Sequence, residues 1–247
     1  YPTLASVEVI TLRLYVINSN LTSFDFLPAL REVKGQIYVQ SCSQLQDLRG
    51  LRATYASYVY LSNNPAMTSL AGSSLERVDY LQVYRLDAMT SLGGANNGPL
   101  ALRNVTQGLT LYYLPIRDLS GLENLVEAGS LSVNSCDNFT SLSGASSLVR
   151  GSISLTRLLA LQDMSGFPSL DQVGSIYMND LWQVANLNGF GPAAGINVTG
   201  TVSLRSMPLF NSFPLSAFRA VAGISLFNMS GISSVAFNTP LTGSFSA

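Results

Sequence analysis

The sequence predicts an all-β chain, folded as a right-handed parallel β-solenoid of about ten turns with about 22 residues in each turn. Three observations predict this fold class. Pairs of apolar residues two positions apart recur at intervals of 22 to 28 residues. Further apolar residues follow each pair in steps of three, and polar and glycine residues recur in the same register. The pairs are Ile37/Val39, Val59/Leu61, Leu81/Val83, Leu109/Leu111, Leu131/Val133, Ile153/Leu155, Ile176/Met178, Val202/Leu204 and Ile224/Leu226.

The apolar pattern within each repeat predicts a short strand followed by a coil that turns corners. When the first residue of each pair is called position 0, apolar residues recur at positions 0, 2, 5, 8 and 11, as in the repeat from Ile153. The spacing of two is the period of a strand, whereas steps of three keep one side chain inward at each corner. The last repeat, from Ile224, follows the same rule, and a looser copy begins near Leu12 and Leu14.

Two further positions predict the corners of each turn. Position 10 carries a short polar side chain that can bond to nearby backbone. Three residues later a glycine recurs, as expected where the backbone needs a positive φ or a close approach between turns. The polar residues are Asp47, Ser69, Ser91, Asp118, Ser141, Asp163, Asn186, Ser212 and Ser234, and the glycines are Gly50, Gly72, Gly94, Gly121, Gly144, Gly166 and Gly189.

The same positions predict a scaffold and argue against an enzyme. Asp47, Asp118 and Asp163 form a row of carboxylates, but serine and asparagine share their position, and acid/base chemistry cannot exchange these freely. The chain has no histidine, so Ser-His-Asp and Cys-His arrangements and the commonest metal ligand are missing. We therefore expect no catalytic residues, no metal site and no cofactor.

A longer repeat of four turns is superimposed on the repeat of single turns. The two long intervals are four turns apart, and their inserted segments end as NVTQGLTL from Asn104 and NVTGTVSL from Asn197. Pro115 and Pro208 stand in register in the turns that follow. We expect one solenoid domain over residues 1–247, with four-turn units at 37–130 and 131–223 and a partial third unit at 224–247.

Composition favours an extracellular protein. Charged residues make up only 11% of the chain and the net charge is -1, which offers no electrostatic attraction to nucleic acid. No apolar run is long enough to span a bilayer, so direct membrane insertion is not expected. The Asn-x-Ser/Thr acceptors predict N-linked glycans, against the alternative of chance tripeptides in a chain rich in serine and threonine. They are Asn20, Asn104, Asn138, Asn197 and Asn228. Asn104 and Asn197 are expected to lie in the two inserted loops, where a glycan can leave the solenoid without disturbing it.

The two cysteines mark the repeat rather than a crosslink. Cys42 and Cys136 both stand at position 5, which other repeats fill with leucine or methionine, so we expect buried thiols. Four turns separate them by about 19 Å at the spacing of parallel strands. A disulfide needs Cα atoms within about 7 Å, and the cysteines are therefore expected to stay unpaired.

One motif resembles a known family. The pattern L-x-x-L-x-x-V-x-G followed by I-x-V-x-x-C/N-x-x-L-x-x-L-x-G-L is present as LPALREVKGQIYVQSCSQLQDLRGL from Leu27 and, loosely, as FPSLDQVGSIYMNDLWQVANLNGF from Phe167. It resembles the receptor L-domain group of leucine-rich-repeat-like solenoids, which includes receptor ectodomain lobes and fungal GPI-anchored cell-wall proteins. The resemblance implies an extracellular solenoid more firmly than it implies signalling, because cysteine-containing caps are missing.

The surface supports two functional hypotheses. The first is a structural glycoprotein, secreted or at the cell surface, whose apolar ends stack in a fibril or surface layer, with itself or neighbouring surface glycoproteins as partner. The alternative is a ligand-binding or adhesion ectodomain that uses an aromatic sheet face. That face would carry Tyr38, Tyr60, Tyr84 and Tyr112, although tyrosines that only stiffen the sheet would give the same pattern.

Overall fold

The protein is described by a computed structural model that covers residues 4–93, 98–213, 217–232 and 244–246. It is a parallel β-solenoid of about nine turns with about 23 residues per turn, and the described residues contain no α-helix. The predicted fold class is confirmed. The strands are β1 Val9–Ile10, β2 Arg13–Ile17, β3 Glu32–Gln40, β4 Tyr55–Ser62, β5 Arg77–Tyr84, β6 Asn104–Tyr112, β7 Glu127–Asn134, β8 Arg150–Thr156, β9 Gln172–Val173, β10 Ile176–Asn179, β11 Ile196–Arg205, β12 Phe218–Phe227 and β13 Ser244–Ser246.

All thirteen strands belong to one parallel sheet, and consecutive turns lie side by side. The first turn supplies two short strands, β1 and β2, which both pair with β3. The turn before β11 is split in the same way into β9 and β10. Register follows the predicted pairs, since Ile153 lies beside Ile176 and Ile176 lies beside Val202. The predicted apolar pairs therefore stay in register across the insertions, although the strand pairing of β5 with β6 shifts register between Val78 and Tyr80.

The predicted inward positions form one continuous core. In the repeat from Ile153, the side chains of Leu155, Leu158 and Leu161 are fully buried, and Met164 is 2% exposed. Each turn shares these residues with the turns on both sides, so no turn has to build a core alone. The last repeat fits less closely, because Met229 and Ile232 are only partly buried. Its predicted Val235 lies outside the described residues.

The polar residues at position 10 fold the corners as predicted. Oδ1 of Asp47 accepts a hydrogen bond from the backbone N–H of Arg49 at 2.9 Å. Oδ1 of Asp163 accepts the corresponding bond from Ser165 at 2.8 Å. Asp118, Ser141 and Asn186 make the same contact, each with the residue two places later. The hydrogen bonds to Asp163, from the side chain and backbone of Ser165, lower its pKa below the ordinary value.

The recurring glycines fit the prediction with one exception. Gly50, Gly72, Gly121, Gly144 and Gly189 have positive φ, whereas Gly166 does not, and the next residue, Phe167, has a φ of 53° instead. At Gly144 a Cβ atom would lie 2.2 Å from the carbonyl carbon of Leu119, so the turns approach too closely for any side chain. Gly94 lies outside the described residues.

A second series of positive φ angles was not predicted. The residue at position 4, directly after the last residue of the strand, has a left-handed backbone conformation in ten successive turns. In nine of these turns its backbone N–H donates to the carbonyl at position 3 of the next turn, for example from Ser135 to Thr156 at 3.0 Å. This conformation ends each strand and turns the chain into the coil. The residues are Asn18, Ser41, Asn63, Arg85, Tyr113, Ser135, Arg157, Asp180, Ser206 and Asn228.

Candidate functional site

The predicted tyrosine face is present as two stacks rather than one row. Tyr38 and Tyr60, both at position 1, lie with ring centroids 4.6 Å apart and planes inclined by 21°. Tyr84 and Tyr112, both at position 3, lie 5.3 Å apart with an angle of 12°. Gln82 follows Tyr60 in the first column, so that column of tyrosines ends where the second begins. The two stacks are therefore offset along and across the sheet.

Three further residues extend these stacks. The ring of Tyr15 lies 5.4 Å from that of Tyr38, in the same column one turn earlier. Tyr113 meets Tyr112 edge to face at 4.3 Å. The guanidinium of Arg85 lies 5.4 Å from the ring centre of Tyr84 and 5.3 Å from that of Tyr113. Its cation attracts both rings, so Arg85 holds the second stack at the edge of the sheet.

Hydrogen bonds fix other rings on the same strands. The hydroxyl of Tyr15 donates to Gln36 Oε1 at 2.9 Å. The hydroxyl of Tyr58 donates to Gln82 Oε1 at 2.9 Å, while its ring lies 6.1 Å from that of Tyr80. Tyr80 itself is 44% exposed. The face thus combines fixed rings with accessible ones, and loses little side-chain freedom when a partner covers it.

Ser62 is a buried polar residue on this outer face. It lies between Gln40 and Tyr84 in the register of the sheet, at position 3. Its side chain is fully buried, and its hydroxyl has no hydrogen-bond partner among the described residues. The side chains around it therefore exclude water from this part of the sheet surface.

Each stack contains one tyrosine whose pKa is raised. Burial, followed by the neighbouring rings of Tyr60 and Tyr15, raises the pKa of Tyr38. The hydrogen bond with Tyr113, followed by burial, raises the pKa of Tyr112. A ligand therefore meets Tyr38 and Tyr112 as phenols that can both donate and accept hydrogen bonds.

Asp79, an acidic residue within β5, has a structural role. Asp79 accepts hydrogen bonds from the hydroxyls of Tyr55 at 2.8 Å and Thr106 at 2.7 Å. Burial would raise the pKa of Asp79, but the hydrogen bonds from Thr106 and Tyr55 hold it below its ordinary value. Its carboxylate joins three adjacent strands. The described residues contain no group of three or more acidic, histidine or cysteine side chains that could hold a metal ion.

Both cysteines lie in the core as free thiols. Cys42 and Cys136 are fully buried and form no disulfide. The Cys42 thiol donates to the carbonyl of Val16 at 3.4 Å. Asn64, which also stands at position 5, is buried and bonds to the backbone of the preceding turn. Position 5 therefore accepts polar side chains as well as apolar ones.

The asparagines predicted to be glycosylated occupy two kinds of site. Asn20, Asn138 and Asn228 are exposed. Asn104 and Asn197 are half-buried and lie at the beginning of β6 and β11, so the expectation that they sit in inserted loops is wrong. The inserted residues come before these strands and leave both asparagines in the sheet. The side-chain nitrogen of Asn197 donates to Gln172 Oε1 at 3.0 Å.

Comparisons with known proteins add no family to this description. No protein-family model, no curated protein and no solved structure matches the chain. No helix in the described part of the chain is long and apolar enough to cross a membrane. The contacts of the tyrosine face are therefore the main evidence from which a function is proposed.

Proposed function

We propose that the chain is a non-enzymatic ligand-binding or adhesion module of an extracellular protein, and that it recognises its partner through the tyrosine-bearing face of β2 to β6. One observation carries this proposal. The tyrosines in β2 to β6 are Tyr15, Tyr38, Tyr55, Tyr58, Tyr60, Tyr80, Tyr84 and Tyr112, whereas β7 to β12 contain only Tyr177.

This asymmetry favours binding over stiffening of the sheet. β7 to β11 keep the same register and the same buried core, with Ser132, Ser154 and Ser203 at position 1 where β3 and β4 carry Tyr38 and Tyr60. A sheet that forms with serine at this position does not require tyrosine there. Tyrosine supplies a large, rigid contact area at low entropic cost, which suits an interface.

The extracellular placement rests on composition and on the resemblance to receptor L-domains. Few charges and several Asn-x-Ser/Thr acceptors suit a glycoprotein, in which glycans supply hydration. Position 5 supports the finer resemblance to leucine-rich repeats, because Cys42, Asn64 and Cys136 match the C/N position of that pattern. The family assignment is a proposal, as is the location.

Substitutions that copy the serine half of the sheet test the tyrosine face. Wild-type protein and the variant Tyr38→Ser/Tyr60→Ser would be compared for binding to arrays of purified extracellular proteins. The double variant should bind at least about tenfold more weakly while unfolding at a similar temperature. Tyr177→Ser is the matched control and should bind as wild type does. Equal binding by wild type and the double variant would contradict the proposal.

Self-association is a second candidate, favoured by the surface of the first turn. Leu4, Val9 and Leu12 are 50%, 44% and 75% exposed, and β1 and β2 pair only with β3 among the described strands. An apolar edge with unpaired backbone groups is a template for another strand. Sedimentation and negative-stain microscopy test this candidate, and Leu12→Lys should reduce any assembly. Dispersed monomers at high concentration would count against it.

A further inference from the structure

Two grooves lie along the edge of the sheet where the left-handed residues turn the chain. The first has a volume of about 460 Å³ and is lined by Arg85, Asp87, Tyr113, Pro115, Asp137 and Asn138, among others. The second has a volume of about 260 Å³ and is lined by Asp180, Trp182, Ser206, Pro208, Asn228 and Ser230. Both are formed mainly by residues at positions 4 and 6 of three successive turns, and the first groove adds Leu114 at position 5 and Asn138 at position 7.

The grooves are equivalent within the four-turn duplication. The first spans the turns from Leu81, Leu109 and Leu131, and the second spans the turns from Ile176, Val202 and Ile224. In each groove the middle turn has proline at position 6. The same part of the repeating unit has thus formed a groove twice, at a separation of about 19 Å by the spacing of parallel strands.

Each groove places one aromatic side chain beside its proline. In the first it is Tyr113, 37% exposed and held by Tyr112 and Arg85. In the second it is Trp182, 56% exposed and the only tryptophan of the chain. The aromatic residues do not occupy the same position, since Tyr113 is at position 4 and Trp182 at position 6. Each groove nevertheless offers an apolar ring and a flat pyrrolidine surface together.

Hydrogen-bonding groups surround the rings. Asp87 and Asp137 face the first groove with Arg85, so both acceptors and donors are available. In the second groove, Asn179 orients the carboxylate of Asp180 by donating at 2.9 Å, and Asn228 donates to the Ser206 hydroxyl at 3.4 Å. The lining thus pairs aromatic surface with polar groups, as a ligand with both apolar C–H faces and hydroxyls requires.

We propose that the two grooves are saccharide-binding sites and that they bind one oligosaccharide chain, or two, along the edge of the solenoid. The sugar rings lie against Tyr113 and Trp182, and the carboxylates and amides bind the hydroxyls. The first groove shares Tyr113 and Arg85 with the second tyrosine stack, but neither groove is lined by Tyr38 or Tyr60. The saccharide has two possible sources, because Asn138 and Asn228 are glycosylation acceptors within the grooves. It is either a separate polysaccharide or a glycan attached to the chain itself.

The single tryptophan makes the second groove directly observable. Protein produced without glycans would be titrated with hexasaccharides of β-linked glucose, β-linked N-acetylglucosamine and mannose. We expect at least one of them to change the fluorescence of Trp182 in a saturable manner. Calorimetry with the same sugar then gives the affinity for both grooves together. If none of the three changes the fluorescence or releases heat, the proposal is overturned.

Three variants assign the binding to the grooves. Trp182→Ala and Tyr113→Ala should each weaken binding of the hexasaccharide about tenfold or more. Leu159→Ser is the matched control, because Leu159 also stands at position 6 and is 43% exposed but lines neither groove. It should leave the affinity unchanged. Circular dichroism during heating verifies that all three variants remain folded. The assignment would be refuted if Leu159→Ser weakened binding as much as the groove variants do. It would also be refuted if neither Trp182→Ala nor Tyr113→Ala weakened binding.

Glycosylated protein distinguishes the two sources. If glycans at Asn138 and Asn228 fill the grooves, the free sugar should bind only after these glycans are removed enzymatically. Such a result would show that the attached glycan and the free sugar compete for the same grooves. If binding is the same before and after removal, the ligand is a separate saccharide. The variant Tyr38→Ser/Tyr60→Ser should keep its affinity for the sugar. The experiments can therefore reject the tyrosine face as a binding surface without rejecting the grooves, and they can reject the grooves without rejecting the tyrosine face.

Discussion

The side chain of Asn64 links its turn to the backbone of the turn that holds Cys42. Asn64 Oδ1 accepts a hydrogen bond from the backbone N–H of Cys42 at 2.8 Å, and Asn64 Nδ2 donates to the carbonyl of Val39 at 3.1 Å. The Cys42 thiol makes the corresponding contact with Val16 one turn earlier. A residue at position 5 can thus satisfy buried backbone groups of the preceding turn.

Replacing Asn64 by leucine should destabilise the protein by about 2–4 kcal/mol, because a buried N–H and a buried carbonyl lose their partner. Leucine fits this position sterically, since Leu86 fills it in the next turn. Asn64→Cys should cost less, because a thiol can still donate to Val39. Urea unfolding measures the differences, and the exposed substitution Asn188→Ala should remain within about 0.5 kcal/mol of wild type. An Asn64→Leu variant as stable as wild type would contradict this account.

A pair of glycines separates close approach from backbone strain. Both Gly144 and Gly98 have positive φ, at 110° and 66°. A Cβ at Gly144 would lie 2.2 Å from the carbonyl carbon of Leu119, whereas a Cβ at Gly98 would meet no atom within 4 Å. Gly98→Ala should therefore cost about 1–2 kcal/mol from the left-handed backbone alone. Gly144→Ala should exceed about 4 kcal/mol or prevent folding. Thermal unfolding of both variants provides the test, and equal losses would contradict it.

The sequence predicted the inward positions well because burial selects a residue class. Every turn needs apolar side chains at the same steps, so residues such as Ile153 and Leu158 repeat visibly. The left-handed residues at position 4 were missed because their residue types are mixed. Seven of the ten are asparagine, aspartate or serine, which favour turns, so these positions did carry a signal in the sequence that was not used. Arg85, Tyr113 and Arg157 have no such preference, and their conformation is imposed by the stacked strand ends.

The candidate surfaces were predictable to a similar extent. Alternation along each strand identified the outward columns, and hence Tyr38 and Tyr84 as face residues. The division into two stacks depends on register and on the change from Tyr60 to Gln82 in one column. The edge grooves depend on the left-handed turns, so sequence periodicity could not locate them.

N-linked glycans should be present on protein produced in a glycosylating host. Enzymatic removal should lower the intact mass and convert each occupied asparagine to aspartate in peptide maps. The deglycosylated protein should scatter more light at high concentration, because only 11% of its residues are charged. Asn211→Gln, which lies outside any acceptor tripeptide, is the control and should leave the mass shift unchanged. An unchanged mass after treatment would overturn the prediction.

Burial of Cys136 should make stability fall at alkaline pH. Desolvation raises the pKa of its thiol from the ordinary value of 9.0 to about 11. The folded state then holds this proton to higher pH than the unfolded state does, so the stabilisation is complete below about pH 9 and is lost as the pH rises towards 11. At pH 10 the contribution that is lost amounts to about 1.4 kcal/mol.

Comparing variants isolates this loss from the titration of the tyrosines. Cys136→Ala removes the thiol, so its unfolding free energy should fall between pH 8 and pH 10 by about 1.4 kcal/mol less than that of wild type. Leu158→Ala also removes a buried side chain at position 5 but carries no titratable group, and it should keep the full loss. Urea unfolding of the three proteins at both pH values gives the three differences. If Cys136→Ala and Leu158→Ala lose equal stability, the Cys136 thiol does not titrate as its burial predicts.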